Sequence, residues 1–168
     1  MFVVETTLVL PQPAASVFAV AGSLALAPRW RAGVTSAGVT SAGVTSAGFT
    51  SAGVTSVADG APAVLAFRAL GARYAMPTRA LAWEPPHYAA WHGRTAAFSL
   101  DLALALEEVP GGTRVTYHCG LSLASEDVMP AERATALRRL LVRRAPRDLE
   151  RLRALVAGAP LAAETAPA

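Results

Sequence analysis

The chain opens on FVVETTLVL, where apolar or β-branched residues alternate with other positions until Pro11. That period of two predicts a strand from about Phe2 to Leu10. PAASVFAVAGSLALAPRW follows, and Pro13, Ser16 and Gly22 punctuate it as two short helices would be punctuated. Five further strand-like runs come after Val57: AVLAFRAL, ARYAMPTRALAW, HYAAWHGR, AAFSLDLALALEEV and TRVTYHCGLSL. Turn chemistry separates them at Gly71-Ala72, Glu84-Pro85-Pro86 and Pro110-Gly111-Gly112. From Pro130 the period changes to that of a helix. Leu137, Leu140, Leu141, Leu149, Leu152 and Leu155 form an apolar stripe and arginines fill the rest. Pro146 lies inside this helix and removes one backbone hydrogen bond, so a kink or a break is expected there. The tail from Gly158 has little to bury and is expected to fray.

Strand alternation also sorts side chains. Phe98, Leu100, Leu102, Leu104 and Leu106 share one face, opposite Ser99 and Asp101, so the leucine face is inward. The same rule puts Val115, Tyr117, Cys119 and Leu121 inside, with Arg114 and His118 outside. Tyr74 and Met76 lie opposite Arg73 and Arg79, with Pro77 a candidate bulge. Of the neighbours Phe67 and Arg68, only one can face inward, and Phe67 is preferred. The facing of Arg68, Arg79, Trp83 and His92 stays open. The order is strand, two short helices, consecutive strands and a long helix. It predicts an α+β fold with an antiparallel sheet whose apolar face only the last helix is long enough to cover.

Between the short helices and the later strands, residues 33–56 repeat a five-residue unit, GVTSA, with Phe49 once replacing valine. Because five is odd, successive units in a strand turn their valines to alternate faces, so no continuous apolar face forms. Three readings are open: an extended mobile loop or ragged hairpin, a turn of a pentapeptide solenoid, or a lid over a cavity. Deleting four units joins WRAGVTS directly to VADGAPAVLAFRA, so the repeat reads as a 20-residue insertion at the start of the second strand.

The length of 168 residues suits one domain, here residues 1–157, plus a tail. No uncharged apolar run reaches the roughly 18 residues of a membrane span, so no stable membrane insertion is expected. The N-terminus reads as a strand and not as a secretion signal, which points to a cytoplasmic protein. The single cysteine, Cys119, cannot form an internal disulfide. All 15 basic side chains are arginine, a bias that suits a GC-rich bacterial coding sequence. Eight of them lie between Arg133 and Arg153 with Glu132, Asp148 and Glu150, and read as a solvated helix face. Without a basic stripe interleaved with stacking aromatics, no nucleic-acid partner is expected. The oligomeric state is not legible.

Together PQPAASVFAVAGSLALAPRW, DGAPAVLAFRA, ALAWEPPHYAAWHG, EEVPGGTRVTY and LVRRAPRDLERLRALV resemble the START-like, or SRPBCC, superfamily. The superfamily includes polyketide cyclases and aromatases, lipid carriers and pollen-allergen-like binding proteins. The resemblance implies a helix-grip fold, a curved antiparallel sheet around the C-terminal helix with an apolar cavity between them. It implies a hydrophobic small molecule, lipid or polyketide-like, as the partner. Enzymatic cyclase, aromatase or dehydratase chemistry and an interaction role for the repeat are the alternatives.

Strong catalytic motifs are absent from the sequence. There is no G-x-S-x-G, no phosphate loop, and no His or Cys pair at metal-ligand spacing, so neither metal nor cofactor is expected. His118 and Cys119 are neighbours and should face opposite ways, which argues against a thiolate–imidazole pair. Candidate ligand contacts are Trp30, Phe67, Tyr74, Met76, Trp83, Trp91, Phe98, Leu100, Leu102, Tyr117, Cys119 and Leu141; for any one of Trp30, Trp83, Trp91, Tyr74, Tyr117 and Met76 ordinary core is the simpler reading, and several lining one pocket is the functional one. Tyr74, Tyr117 and Arg68 are the candidates for proton transfer or enolate stabilisation, with no motif to fix their roles.

Overall fold

The computed structural model describes residues 1–39, 63–124 and 128–158. Strand β1 (Phe2–Leu10) leads into helix α1 (Ala14–Ala21), a single 3₁₀ turn (Leu24–Leu26) and the short helix α2 (Ala27–Trp30). Six strands follow: β2 (Val34–Val39), β3 (Ala63–Ala69), β4 (Ala72–Glu84), β5 (Tyr88–Arg94), β6 (Phe98–Val109) and β7 (Gly112–Leu123). Helix α3 (Ala131–Val156) closes the described chain. The strands form one curved antiparallel sheet in the order β1-β7-β6-β5-β4-β3-β2. This is the helix-grip arrangement.

Alternation decides which side of the sheet becomes core. Along β6, Phe98, Leu100, Leu102, Leu104 and Leu106 are all buried, and along β7 so are Val115, Tyr117, Cys119 and Leu121. The two rows lie side by side because β6 and β7 pair in continuous register, Leu102 opposite Cys119 and Leu104 opposite Tyr117. Burying each such side chain contributes about 1.5–3 kcal/mol. The outward row carries paired charges instead. His92 and Asp101, cross-strand partners, meet at 2.7 Å, and Arg114 meets Glu107 at 2.7 Å.

Helix α3 covers the inward face, packing on β1, β7, α1 and α2. Its buried residues are Ala134, Leu137, Leu141, Ala145, Asp148, Leu149 and Leu152. The expected break at Pro146 does not occur. The helix runs through it because Pro146 is on the exposed side, as is Val142. The Val142 carbonyl that loses its partner there can bond to water instead. Pro77 likewise makes no bulge. The β3–β4 register continues through it, and the shift lies between Ala80 and Ala82 on the β5 side, leaving Leu81 exposed.

The first unit of the repeat, from Val34, belongs to β2 and pairs with β3. The loop, solenoid and lid readings of the remaining units fall on residues 40–62, outside the described residues, and the frayed tail falls on 159–168. No described helix is long and apolar enough to cross a membrane.

Candidate functional site between the sheet and the long helix

The residues that build the site begin at the end of α2. The Arg31 N–H closes that helix on the Ala27 carbonyl at 2.8 Å, and the Val34 N–H returns to the Arg31 carbonyl at 3.2 Å. Gly33 completes this turn with φ +94°, in the region where side chains are strained. A Cβ at Gly33 would also lie 2.9 Å from the Arg68 carbonyl oxygen. The turn therefore directs Arg31 inward, between sheet and helix.

Arg31 is 3% exposed, and none of its three guanidinium-side nitrogens has a hydrogen-bond partner among the described residues. Aromatic rings surround it instead. Its central carbon lies 4.6 Å from the Trp30 ring centroid, 5.1 Å from that of Trp91 and 5.7 Å from that of Tyr117. Each such contact contributes about 2 kcal/mol when desolvated, but ring faces offer no lone pair in the way that an oxygen does. A buried cation costs several kcal/mol, and its N–H groups still lack acceptors. Among the described residues the guanidinium thus keeps its N–H donors open.

Asp148, on the buried stripe of α3, faces the same region and is 5% exposed. Its Oδ1 accepts the Ala32 N–H at 2.7 Å, which ties α3 to the turn that carries Arg31. No ion pair joins it to Arg31 among the described residues. Burial pushes its carboxyl up to about 7, against the Ala32 hydrogen bond and the positive charges of Arg31, Arg151 and Arg144, which lower it. Burial likewise raises Tyr117 above its ordinary range and pushes the Cys119 thiol up to about 12. Both stay protonated at neutral pH.

These groups meet at a cavity of about 30 Å³, lined by Arg31, Ala32, Val34, Leu65, Phe67, Met76, Leu100, Leu102, Tyr117, Cys119, Leu141, Arg144, Ala145 and Asp148. Such a space has room for about one water, whereas sites for drug-sized ligands run to roughly 300–1,000 Å³. A larger ligand requires sheet and helix to part. A wider, solvent-open cleft of about 780 Å³ runs past Leu70, Glu132, Thr135, Arg139 and Arg143. It shares no lining residue with the buried cavity, and none of its described lining residues is aromatic.

Of the residues singled out in the sequence, Phe67, Met76, Leu100, Leu102, Tyr117, Cys119 and Leu141 line the cavity. Trp30 and Trp91 stand behind Arg31 as its ring contacts. Trp83 packs instead against Phe18 and Trp91, with ring centroids at 5.0 and 6.2 Å. Phe98 and half-buried Tyr74 form an edge pair at 5.1 Å beyond the lining. Arg68 is exposed, because Phe67 takes the inward position next to it, and Tyr74 does not reach the cavity; neither is placed to act there. Arg79 is exposed and His92 pairs outward with Asp101. Arg31 and Asp148 were not among the candidates, and Asp148 does not belong to the solvated helix face with the arginines. Its signal was its register, seven residues after Leu141 and four before Leu152.

The sequence matches the family described as "Polyketide cyclase / dehydrase and lipid transport" over residues 1–157. No curated protein matches it by sequence. Among solved structures, TTHA0849 from Thermus thermophilus is similar with a TM-score of 0.70 and 15% identity, covering 94% of this chain and 98% of that one. The Zhui aromatase/cyclase from Streptomyces sp. R1128 aligns with a TM-score of 0.68 and 13% identity, covering 93% of each. A START superfamily protein from Mycobacterium smegmatis aligns with a TM-score of 0.64 and 11% identity over 93% of this chain and 97% of that one. At these identities the structural likenesses speak for the fold.

Proposed function

The chain belongs to the polyketide cyclase / dehydrase and lipid transport family, and from that premise we propose that it binds a hydrophobic small molecule between sheet and α3, with the molecule's oxygen-bearing end on Arg31. The single observation that carries this reading is the buried guanidinium with no acceptor among the described residues, at a cavity whose wall is mostly apolar. Leaving such a group unsatisfied costs about 1–3 kcal/mol or more, which a ligand oxygen recovers on binding. The leucines, Phe67 and Met76 then accept the apolar body, and each fully buried CH₂ adds about 0.8 kcal/mol.

Native mass spectrometry on gently purified protein, followed by denaturing extraction, tests this. A recurring apolar adduct that carries at least one oxygen, and that the Arg31→Met variant lacks, is the expected result. An adduct retained in full by that variant would remove Arg31 from the site.

A second reading is catalytic, of the cyclase or dehydratase type. What favours it is Asp148, a carboxyl held near neutrality beside Arg31 and the protonated Tyr117. A group with its pKa near the working pH can take and return a proton, while Arg31 stabilises the enolate formed. Turnover of a poly-β-ketone thioester, lost in Asp148→Asn with binding retained, would establish it.

A further inference from the structure

The class of ligand can be narrowed from the charged groups that line the cavity, Arg31, Asp148 and Arg144, the last of which donates to the Arg68 carbonyl at 3.1 Å. This step rests on the binding reading above. Arg31 presents a planar fork of N–H donors, the geometry that pairs with two oxygens at once and suits a carboxylate better than a single carbonyl or hydroxyl. Asp148 lines the same cavity, tied by the Ala32 N–H at 2.7 Å but forming no ion pair with Arg31. Without a ligand, Asp148 is the nearby negative charge that offsets Arg31. A second carboxylate in about 30 Å³ of space would set two like charges against each other, and one must then take a proton. Asp148 is the group that can.

We propose that the ligand is an organic anion, a carboxylate on an otherwise apolar body, and that it enters Arg31's fork as Asp148 takes up one proton. The proton comes from solvent and neutralises the Asp148 carboxylate. No covalent bond to the ligand forms or breaks. Above about pH 7, where Asp148 is ionised in the free protein, the charge in the site is the same before and after: Arg31 and Arg144 with the Asp148 carboxylate become Arg31 and Arg144 with the ligand carboxylate.

The other groups facing Asp148 leave it as the titrating member. Arg31, Arg144 and Arg151 are the positive charges that act on it, and Tyr117 and Cys119, facing from β7, keep their protons. With Asp148 titrating at about 7 in the free protein, affinity for an anion should fall about tenfold between pH 6 and pH 8. A neutral ligand would show no such dependence.

The test is isothermal titration of the full chain with decanoate and 2-naphthoate, each against its matched alcohol, decanol and 2-naphthalenemethanol. Buffers of different ionisation enthalpy report the protons exchanged. Expected for an acid at pH 8 is uptake of about 0.9 proton per molecule bound, with the tenfold weakening from pH 6. Asp148→Asn, which keeps the acceptor for Ala32, should abolish the uptake and bind the acid about tenfold more tightly than the unaltered protein at pH 8. Arg31→Gln should lose the preference for acid over alcohol. Alcohols binding as well as the acids with no proton uptake would overturn the anion assignment and leave the pocket standing. Failure of both acids and both alcohols to bind at any pH would overturn the pocket reading itself.

Discussion

Replacing Asp148 with asparagine should make the protein more stable, increasingly so as pH rises. Folding takes the Asp148 carboxyl from an ordinary 3.8 to about 7, chiefly because burial disfavours the charged form. Below pH 3.8 the group is protonated folded or unfolded and imposes no penalty. Between there and about pH 7 the unfolded chain releases the proton while the folded chain keeps it, so stability falls with rising pH by about 1.4 kcal/mol per unit. Above that range both states are ionised and the loss levels off on the order of 4 kcal/mol. Asparagine carries no charge, and its amide oxygen can still accept the Ala32 N–H that Asp148 accepts at 2.7 Å. Urea unfolding followed by the fluorescence of the three tryptophans at pH 4, 6 and 8 checks this. Titration of every other group cancels in the difference between the two proteins. The asparagine variant should match the parent at pH 4 and exceed it by up to about 4 kcal/mol at pH 8. A difference independent of pH, or an asparagine variant weaker at pH 8, would refute the reasoning.

Other substitutions probe the rest of the site. Arg31→Met exchanges an unsatisfied buried cation for an apolar side chain of similar length, so it should stabilise the fold by about 1–3 kcal/mol at pH 6 in urea unfolding while it abolishes ligand binding. Gly33→Ala places a Cβ 2.9 Å from the Arg68 carbonyl at φ +94° and should cost about 2 kcal/mol, read as a lower urea midpoint. Tyr117→Phe should leave the far-ultraviolet circular dichroism and the urea midpoint within about 1 kcal/mol of the parent, and it should alter turnover only if the catalytic reading holds.

The fold was legible because period-two and helical patterns are printed in the apolar residues themselves. FVVETTLVL and FSLDLALALEEV each announce both a strand and its inward face. Where reasoning from pattern failed, a single position was decided by which side of an element it occupies. Pro146 does not break α3 because it faces solvent, and Pro77 keeps its register. The cavity wall was partly legible for the same reason, since Phe67, Met76, Leu100, Leu102, Tyr117, Cys119 and Leu141 are the inward members of their elements. Its charged centre was not. Arg31 lies in a turn, where no period assigns a face, and only the Gly33 conformation and the aromatic rings around it turn the guanidinium inward. Asp148 sits in an arginine-rich stretch whose composition suggests a wet surface, although its register with Leu141 and Leu152 places it on the buried stripe.

The most direct measurement is the side-chain NMR spectrum of Arg31, assigned by comparison with the Arg31→Met variant, as decanoate is added at pH 6. If the guanidinium receives the ligand's oxygen, its Nε–H signal should move downfield and exchange with solvent more slowly on saturation, while the signals of exposed arginines such as Arg68 stay in place. Saturation of the protein with the Arg31 signal unmoved would contradict a ligand held at this group.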